Sequence, residues 1–104
     1  MNYKQYEIIL VNLEPSIGAE TKKTRPCVIL SPNEMNKHLK TLIIAPLTST
    51  NKAYPTRVKT NDSFVMLDQI KTIDKRRAVK TLGALTKKSI RKIKITLKEM
   101  LVDD

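Results

Sequence analysis

Cysteine, glycine, histidine and aromatic residues are all scarce in this sequence, and each scarcity argues against a class of function. A single cysteine, Cys27, excludes an intramolecular disulfide, and one cysteine with one histidine gives poor support for a metal site. The chain has only two glycines, too few for a glycine-rich phosphate loop. No apolar run reaches membrane-spanning length, and residues 1–5 lack the features of a secretory signal. We therefore expect a cytoplasmic protein with no cofactor.

Positive charge is abundant and unevenly distributed. The 104 residues carry a net charge of +10, of which +2 falls in residues 1–50 and +8 in residues 51–104. Such an excess favours an anionic partner, either nucleic acid or an acidic protein, although it also serves solubility. Within the basic half, the segment 87–101 has the periodicity of an amphipathic helix with lysines over most of its polar surface. That face is compatible with nucleic-acid contact or with simple solvation.

Short apolar runs separated by turn residues predict a mainly β domain spanning residues 1–104. Six or seven such strands in a chain of this length indicate a small, strongly curved sheet or barrel. Thr86 is positioned to cap a C-terminal helix that packs on the sheet through Ile90, Ile93, Leu97, Met100 and Leu101. A loop is expected over 14–23. The expected strands fall within 6–13, 24–31, 42–47, 56–60, 63–67, 70–79 and 81–85, with a turn and a short helical segment at 32–40.

Arg25 is the candidate functional residue that the local sequence singles out. Pro26 restricts Arg25 to extended conformations and stiffens the backbone where the strand begins, so the guanidinium is held at a strand mouth. A solvated arginine beside a core strand is the alternative. Other polar groups follow strand ends or precede strand starts, namely Glu20, Thr48, Ser49, Asp68 and Gln69. Guanidinium and hydroxyl groups suit phosphoryl chemistry, because they can hold phosphate oxygens as charge builds on them.

Four motifs in order resemble the MazF/PemK-like toxins of bacterial toxin–antitoxin systems. The similarity spans about residues 7–101. The motifs are Gly18-Ala19-Glu20 followed by Thr24-Arg25-Pro26-Cys27-Val28-Ile29-Leu30-Ser31; Ile44-Ala45-Pro46-Leu47-Thr48-Ser49 with Tyr54-Pro55; Leu67-Asp68-Gln69-Ile70-Lys71-Thr72-Ile73-Asp74-Lys75-Arg76-Arg77; and Leu82-Gly83.

This resemblance implies a small SH3-like barrel of the PemK/CcdB type with a C-terminal helix, forming a homodimer. It implies a metal-independent endoribonuclease that cuts single-stranded mRNA at short motifs and leaves 2′,3′-cyclic phosphate and 5′-hydroxyl ends. It also implies a cognate antitoxin whose acidic tail occupies the RNA groove. A positively charged chain suits both ligands.

By position in the motifs, Arg25 matches the catalytic arginine and Thr48 its threonine partner, while Glu20 and Asp68 match acids important in some members. We expect the substrate to be bound by Ser49, Lys52, Gln69, Lys75, Arg76 and Arg77.

The sequence departs from the family at three positions. Ala19 stands where many members have Ser or His, Met66 where some have arginine, and Tyr6 where a glycine is usual. The departures at Ala19 and Met66 favour Arg25 and Thr48 as the central pair. The general base stays open between Glu20, Asp68 and water, since an arginine is a poor base at its ordinary pKa.

Two other functions compete with RNA cleavage. The same barrel occurs in toxins that inhibit a protein partner such as DNA gyrase and cleave nothing. A general RNA-binding module is the third interpretation, and it is weakened by the presence of only four aromatic residues.

Overall fold

A seven-stranded antiparallel sheet and a C-terminal helix form the framework of the protein. The computed structural model describes residues 2–13, 24–50 and 54–103. The expected loop over 14–23 lies outside them. In chain order the elements are β1 (Glu7–Asn12), β2 (Thr24–Ile29), α1 (Asn33–His38), β3 (Thr41–Thr48), β4 (Arg57–Lys59), β5 (Phe64–Met66), a 3-10 turn (Leu67–Gln69), β6 (Lys71–Asp74), a second 3-10 turn (Lys75–Arg77), β7 (Ala78–Ala84) and α2 (Lys87–Leu101).

The sheet path runs β4-β5-β3-β2-β1-β7, and β6 pairs with the first half of β3. The ends of this path, β4 and β7, are not hydrogen-bonded to each other across the described residues, so the barrel is open there. The prediction of a mainly β fold with a C-terminal helix is confirmed. The expected strong curvature appears as one long strand, β3, that serves two partners along one edge, β6 and then β5.

Both faces of the central strands are buried, which explains their continuous apolar sequences. In β2 and the residue after it, Val28 and Leu30 join one hydrophobic cluster, whereas Cys27 and Ile29 join a second cluster. Side chains alternate between the two faces of a strand, so a strand covered on both faces shows an unbroken apolar run. Helix α2 covers the first cluster through Ile93.

Helix α2 begins where the sequence predicts it. The Thr86 side chain caps it by accepting a hydrogen bond from the Ser89 backbone N–H at 3.2 Å. Of the predicted apolar face, Ile93 is buried, and Leu97 and Met100 pack against the core. Leu101 does not belong to that face, since it is 68% exposed at the C-terminal end of the helix. Ser89 and Thr96 are buried instead, with Thr96 Oγ1 bonding to the Lys92 carbonyl at 2.8 Å.

Other element boundaries agree with the sequence patterns more coarsely. The predicted hairpin over 56–67 is present as β4 and β5, paired through Val58 and Val65. Asp68 and Gln69 follow the end of β5, as predicted, within a 3-10 turn. No helix in the described part of the chain has the length and apolar character needed to cross a membrane.

Tyr6 adopts a left-handed backbone conformation with φ of 70°, the single non-glycine residue in the described segments to do so. Its N–H donates to the Ile29 carbonyl at 2.7 Å, and its carbonyl accepts from the Leu85 N–H at 3.0 Å. These two bonds tie the start of β1 to both neighbouring strands. A glycine would adopt this conformation without strain, whereas Tyr6 carries a Cβ.

Candidate active site

Arg25 lies one residue into β2, on the part of the strand that emerges from the core. Its exposed position contrasts with Cys27, which is fully buried two residues later. Val11 of β1 is its partner in the sheet, so the backbone is held from that side. No group in the described segments accepts a hydrogen bond from the Arg25 guanidinium or forms an ion pair with it. A rigid backbone therefore carries a cation whose donors are available to a ligand.

Thr48 lies beside Arg25 on the neighbouring strand. The β2–β3 register pairs Cys27 with Pro46, and two further residues along the same antiparallel register bring Arg25 opposite Thr48. Together they line an open cleft of about 300 Å³, which we call the Arg25 cleft. Its walls are formed by Thr24, Arg25, Pro26, Leu47, Thr48, Ser49 and Ser63.

The Thr48 hydroxyl is oriented by its own strand end. Its Oγ1 accepts a hydrogen bond from the Thr50 backbone N–H at 3.2 Å. Because that oxygen is used as an acceptor, its O–H is left to donate to a ligand in the cleft. The hydroxyl of Ser49 lies on the same wall and is exposed.

Two residues of the cleft were not identified from the sequence. Ser63 reaches it because Phe64 pairs with Thr48, which places the β4–β5 turn beside the end of β3. Thr24 reaches it as the neighbour of Arg25. The hairpin pattern was visible in the sequence, but the pairing of β5 with β3 was not. The Thr24 position could have been noticed from its place next to Arg25.

Asp68 and Gln69 do not line the Arg25 cleft. Both are exposed on the 3-10 turn after β5. The Asp68 carboxylate accepts a hydrogen bond from the Thr56 hydroxyl at 3.0 Å. This bond fixes Asp68 beside the start of β4. Its predicted catalytic role, like the binding role of Gln69, stays a prediction.

Glu20 and Lys52 lie outside the described residues. The segment that contains Glu20 connects the last residues of β1 to Thr24, the residue before Arg25. The segment that contains Lys52 follows Thr48 and Ser49. Both predicted residues therefore belong to connections that begin or end at the cleft.

The three side chains of the basic turn Lys75–Arg77 lie in two different parts of the surface. Lys75 and Arg76 line another cleft, of about 550 Å³, together with His38. Lys75 Nζ donates to the Asn36 carbonyl, and Arg76 pairs with Asp74 at 3.0 Å. That pairing lowers the pKa of the Asp74 carboxyl to about 2, chiefly through the side-chain hydrogen bond from Arg76.

Arg77 lies closer than Lys75 and Arg76 to the residues that pair across the sheet with Arg25. Its Nη1 donates to the Asn12 carbonyl at 3.3 Å, and the next residue, Ala78, pairs with Val11. Val11 pairs with Arg25 on its other side. Strand β1 thus lies between Arg77 and Arg25, whereas Lys75 and Arg76 lie beside the opposite end of β3.

The remaining candidates for chemistry have structural roles. Burial raises the pKa of the Cys27 thiol to about 11, despite the opposing charges of Arg25 and Lys71, so the thiolate is scarce near neutral pH. His38 is exposed and contacts Glu34 at 3.1 Å one helical turn away. Within the described segments, no three His, Cys, Asp or Glu side chains lie close enough together to hold a metal ion.

Comparisons with known proteins identify a family that matches most of the chain. The profile of a family described as "PemK-like, MazF-like toxin of type II toxin-antitoxin system" matches residues 4–101. A protein named Endoribonuclease MazF, from Staphylococcus saprophyticus, is 34% identical over 97 residues, which cover 84% of this chain and 81% of the relative.

Solved structures share the fold at lower sequence identity. A MazE-MazF structure from Deinococcus radiodurans superposes with a TM-score of 0.85 at 24% identity, covering 97% of this chain and 96% of the other. An endoribonuclease in complex with its cognate antitoxin, from a Mycobacterial species, gives a TM-score of 0.84 at 24% identity and covers 95% and 94% of the two chains.

Proposed function

Since the chain belongs to the family of PemK-like, MazF-like toxins of type II toxin–antitoxin systems, we propose that it is a sequence-specific endoribonuclease. It would cleave single-stranded mRNA in the cytoplasm and so inhibit translation and growth. The observation that carries this proposal is the position of Arg25 opposite Thr48 in one open cleft, with the guanidinium donors available to a ligand. The 34% identical relative is named an endoribonuclease, which supports the same activity.

The cleft suits a reaction in which RNA supplies its own nucleophile. The ribose 2′-oxygen attacks the adjacent phosphorus, its proton passes to a base, and the bond from phosphorus to the 5′-oxygen breaks. The 5′-oxygen takes up a proton, which leaves a 2′,3′-cyclic phosphate and a 5′-hydroxyl. In this scheme no protein nucleophile or metal ion is needed.

Arg25 and Thr48 would act on the phosphate rather than on the nucleophile. The guanidinium would bind the non-bridging oxygens as negative charge grows on the pentavalent phosphorus. The Thr48 hydroxyl would donate to a phosphate oxygen or to the leaving oxygen. Glu20, Asp68 and water are the alternatives for the base. Asp68 already accepts a hydrogen bond from Thr56 at 3.0 Å outside the cleft, which favours Glu20 or water.

The partners follow from the same assignment. An acidic antitoxin can lie on a chain of net charge +10 and exclude RNA from it. The solved relatives include a MazE-MazF structure and an endoribonuclease bound to its cognate antitoxin, which supports this pairing. We further propose that the active form is a homodimer.

An RNA digest in EDTA tests the proposed activity. The wild-type protein is expected to cut a long unstructured RNA in EDTA, and the fragments should carry 5′-hydroxyl ends. Arg25→Ala should lose about 10²–10³-fold or more in rate, the loss expected when a transition-state donor is removed. Because Arg25 is exposed at a strand mouth, the melting temperature of the Arg25→Ala protein should stay close to that of the wild type.

Lys71→Ala is a suitable control. Lys71 is also an exposed cation, and like Arg25 it acts to lower the Cys27 pKa, but it does not line the cleft. It should retain most of the activity. Intact RNA in the wild-type digest would overturn the proposal. Undiminished toxicity of Arg25→Ala in cells would instead favour inhibition of a protein partner without cleavage.

A further inference from the structure

A second groove lies away from the Arg25 cleft, between β4 and helix α2. It has a volume of about 740 Å³ and is named the helix groove below. Among the described residues, five cationic side chains line it and no carboxylate does. These cations are Arg57, Lys59, Lys88, Arg91 and Lys92.

Helix geometry explains why the cations gather on one side of α2. Lys88, Lys92 and Ile95 follow one another at spacings of four and three residues, so they form a stripe. This stripe borders the buried face that carries Ser89, Ile93 and Thr96, and its exposed side chains line the helix groove together with β4. The lysines in the stripe are consequently placed for a ligand in the groove.

Strand β4 supplies the opposite wall and holds an oriented arginine. The Arg57 guanidinium lies over the Tyr54 ring, 5.0 Å from its centroid, and its buried Nε has no acceptor in the described segments. Tyr54 itself is 53% exposed. Aromatic rings of this kind provide a surface on which a nucleobase can stack.

A smaller cavity lies between the helix groove and the Arg25 cleft and shares lining residues with both. This connecting cavity, of about 210 Å³, shares Leu47 and Ser63 with the cleft. At its other end it shares Thr60, Asn61, Thr86 and Ser89 with the helix groove. A single-stranded polymer could therefore pass from Arg25, across the β4–β5 turn, to the cations of α2.

We propose that the helix groove binds the phosphates of the RNA strand that flanks the cleaved position. This inference rests on the proposed function, because it takes the Arg25 cleft as the site of the scissile phosphate. RNA fits better than an acidic peptide, since Arg57 of the groove also contacts the exposed Tyr54 ring next to it, and nucleotides supply both phosphates and bases. The one carboxylate along the described path is Asp62, in the connecting cavity.

Binding to uncleavable oligonucleotides tests the inference independently of cleavage. The probes are single-stranded RNAs of about 4 and about 12 nucleotides, lengths that span the range of ordinary single-strand sites. Both carry 2′-O-methyl groups throughout, which remove the nucleophile. The test variant combines Lys88→Gln with Lys92→Gln. The matched control combines Lys87→Gln with Lys94→Gln, two exposed lysines of the same helix that do not line the groove.

The test variant should bind the longer RNA about tenfold more weakly than the wild type at about 0.1 M salt. Its slope of log affinity against log salt should become shallower by about 0.7 for each phosphate that the variant no longer neutralises. The shorter RNA, which occupies the cleft alone, should bind the test variant within about twofold of the wild type. The control variant should bind both RNAs as the wild type does. Equal melting temperatures would show that all the proteins are folded.

Three outcomes would overturn the inference. Equal weakening by the test and control variants would mean that overall charge, and not the groove, binds RNA. No weakening by either would place the flanking strand elsewhere. Weakened binding of poly-glutamate with unchanged binding of RNA would assign the groove to an acidic protein partner. If groove binding is confirmed but the wild-type protein does not cut RNA, the helix groove stands and the proposed nuclease activity fails.

Discussion

Two residues of one strand show how position decides chemistry in this protein. Arg25 and Cys27 are separated by one proline, yet Arg25 is exposed at the mouth of β2 and Cys27 has no accessible surface. Burial raises the Cys27 pKa to about 11 and makes the thiol a packing group. The arginine keeps its donors free in an open cleft. Whether a side chain of β2 can reach a ligand thus depends on whether its position lies inside the core or beyond it.

The left-handed backbone of Tyr6 leads to a prediction about the stability of variants at this position. Its φ of 70° is unfavourable for any residue with a Cβ, by about 1–2 kcal/mol. Tyr6→Gly and Tyr6→Ala both lose the packing of the ring against the core, but only Gly relieves the backbone. We expect Tyr6→Gly to be more stable than Tyr6→Ala by about 1 kcal/mol in denaturant unfolding.

Tyr3 provides the control for this comparison. It also packs against the core, but its φ is not positive. At Tyr3 the alanine variant should be the more stable of the two, because glycine has more backbone entropy to lose on folding. If alanine is also the more stable at Tyr6, the strain attributed to that position is absent.

At the scale of elements, helix α2 is anchored to the sheet at its first turn and exposed to solvent at its last. Thr86 accepts a hydrogen bond from the Ser89 N–H, and Ser89 Oγ donates to the Lys59 carbonyl at 3.3 Å. The first turn is thereby tied to β4, which forms the other wall of the helix groove. Leu101 and Val102 are 68% and 71% exposed at the opposite end. The cap therefore both starts the helix and sets its distance from β4.

Removal of the cap should destabilise the protein measurably. Thr86→Ala leaves the Ser89 N–H without its acceptor and should cost about 1 kcal/mol of unfolding free energy. For a domain of this size, that loss lowers the melting temperature by about 4–8 °C. Lys94→Ala, in the exposed middle of the same helix, should change stability by less than about 0.5 kcal/mol. Equal melting temperatures for Thr86→Ala and the wild type would contradict the capping role.

At the scale of the whole molecule, strand β7 is the most exposed edge of the sheet. It pairs only with β1 in the described part of the chain, and Val79 and Leu82 are 53% and 47% exposed. An uncovered edge strand with large apolar side chains is typical of a surface that pairs with another chain. This edge therefore suits the interface of the proposed homodimer.

Light scattering of the wild-type protein at micromolar concentration should give twice the mass of one chain. Val79→Lys combined with Leu82→Lys should shift the protein to a monomer, because two charges would be buried at the interface. Leu39→Lys serves as the control, since Leu39 is 45% exposed at the end of α1, away from β7. A monomeric wild-type protein would contradict the homodimer, and a dimeric double variant would place its interface elsewhere.

More of the fold than of the candidate site could be predicted from the sequence. Apolar runs and turn residues located most strands, and Thr86 located the start of α2, because these signals are local along the chain. Leu101 was wrongly assigned to the buried helix face, since periodicity does not show where a helix runs past its core. Asp68 was placed with the strand-end residues, but the 3-10 turn directs it to Thr56.

The sequence by itself determined the type of elements, the family and the prominence of Arg25, because these depend on residue order and on the stiff Arg25–Pro26 step. Only the tertiary structure decided which polar residues meet. The antiparallel pairing of β2 with β3 brings Thr48 to Arg25, and the pairing of β3 with β5 adds Ser63. The packing of α2 beside β4 assembles the cations of the helix groove from two distant segments. Such contacts depend on strand order and register, which no local pattern specifies.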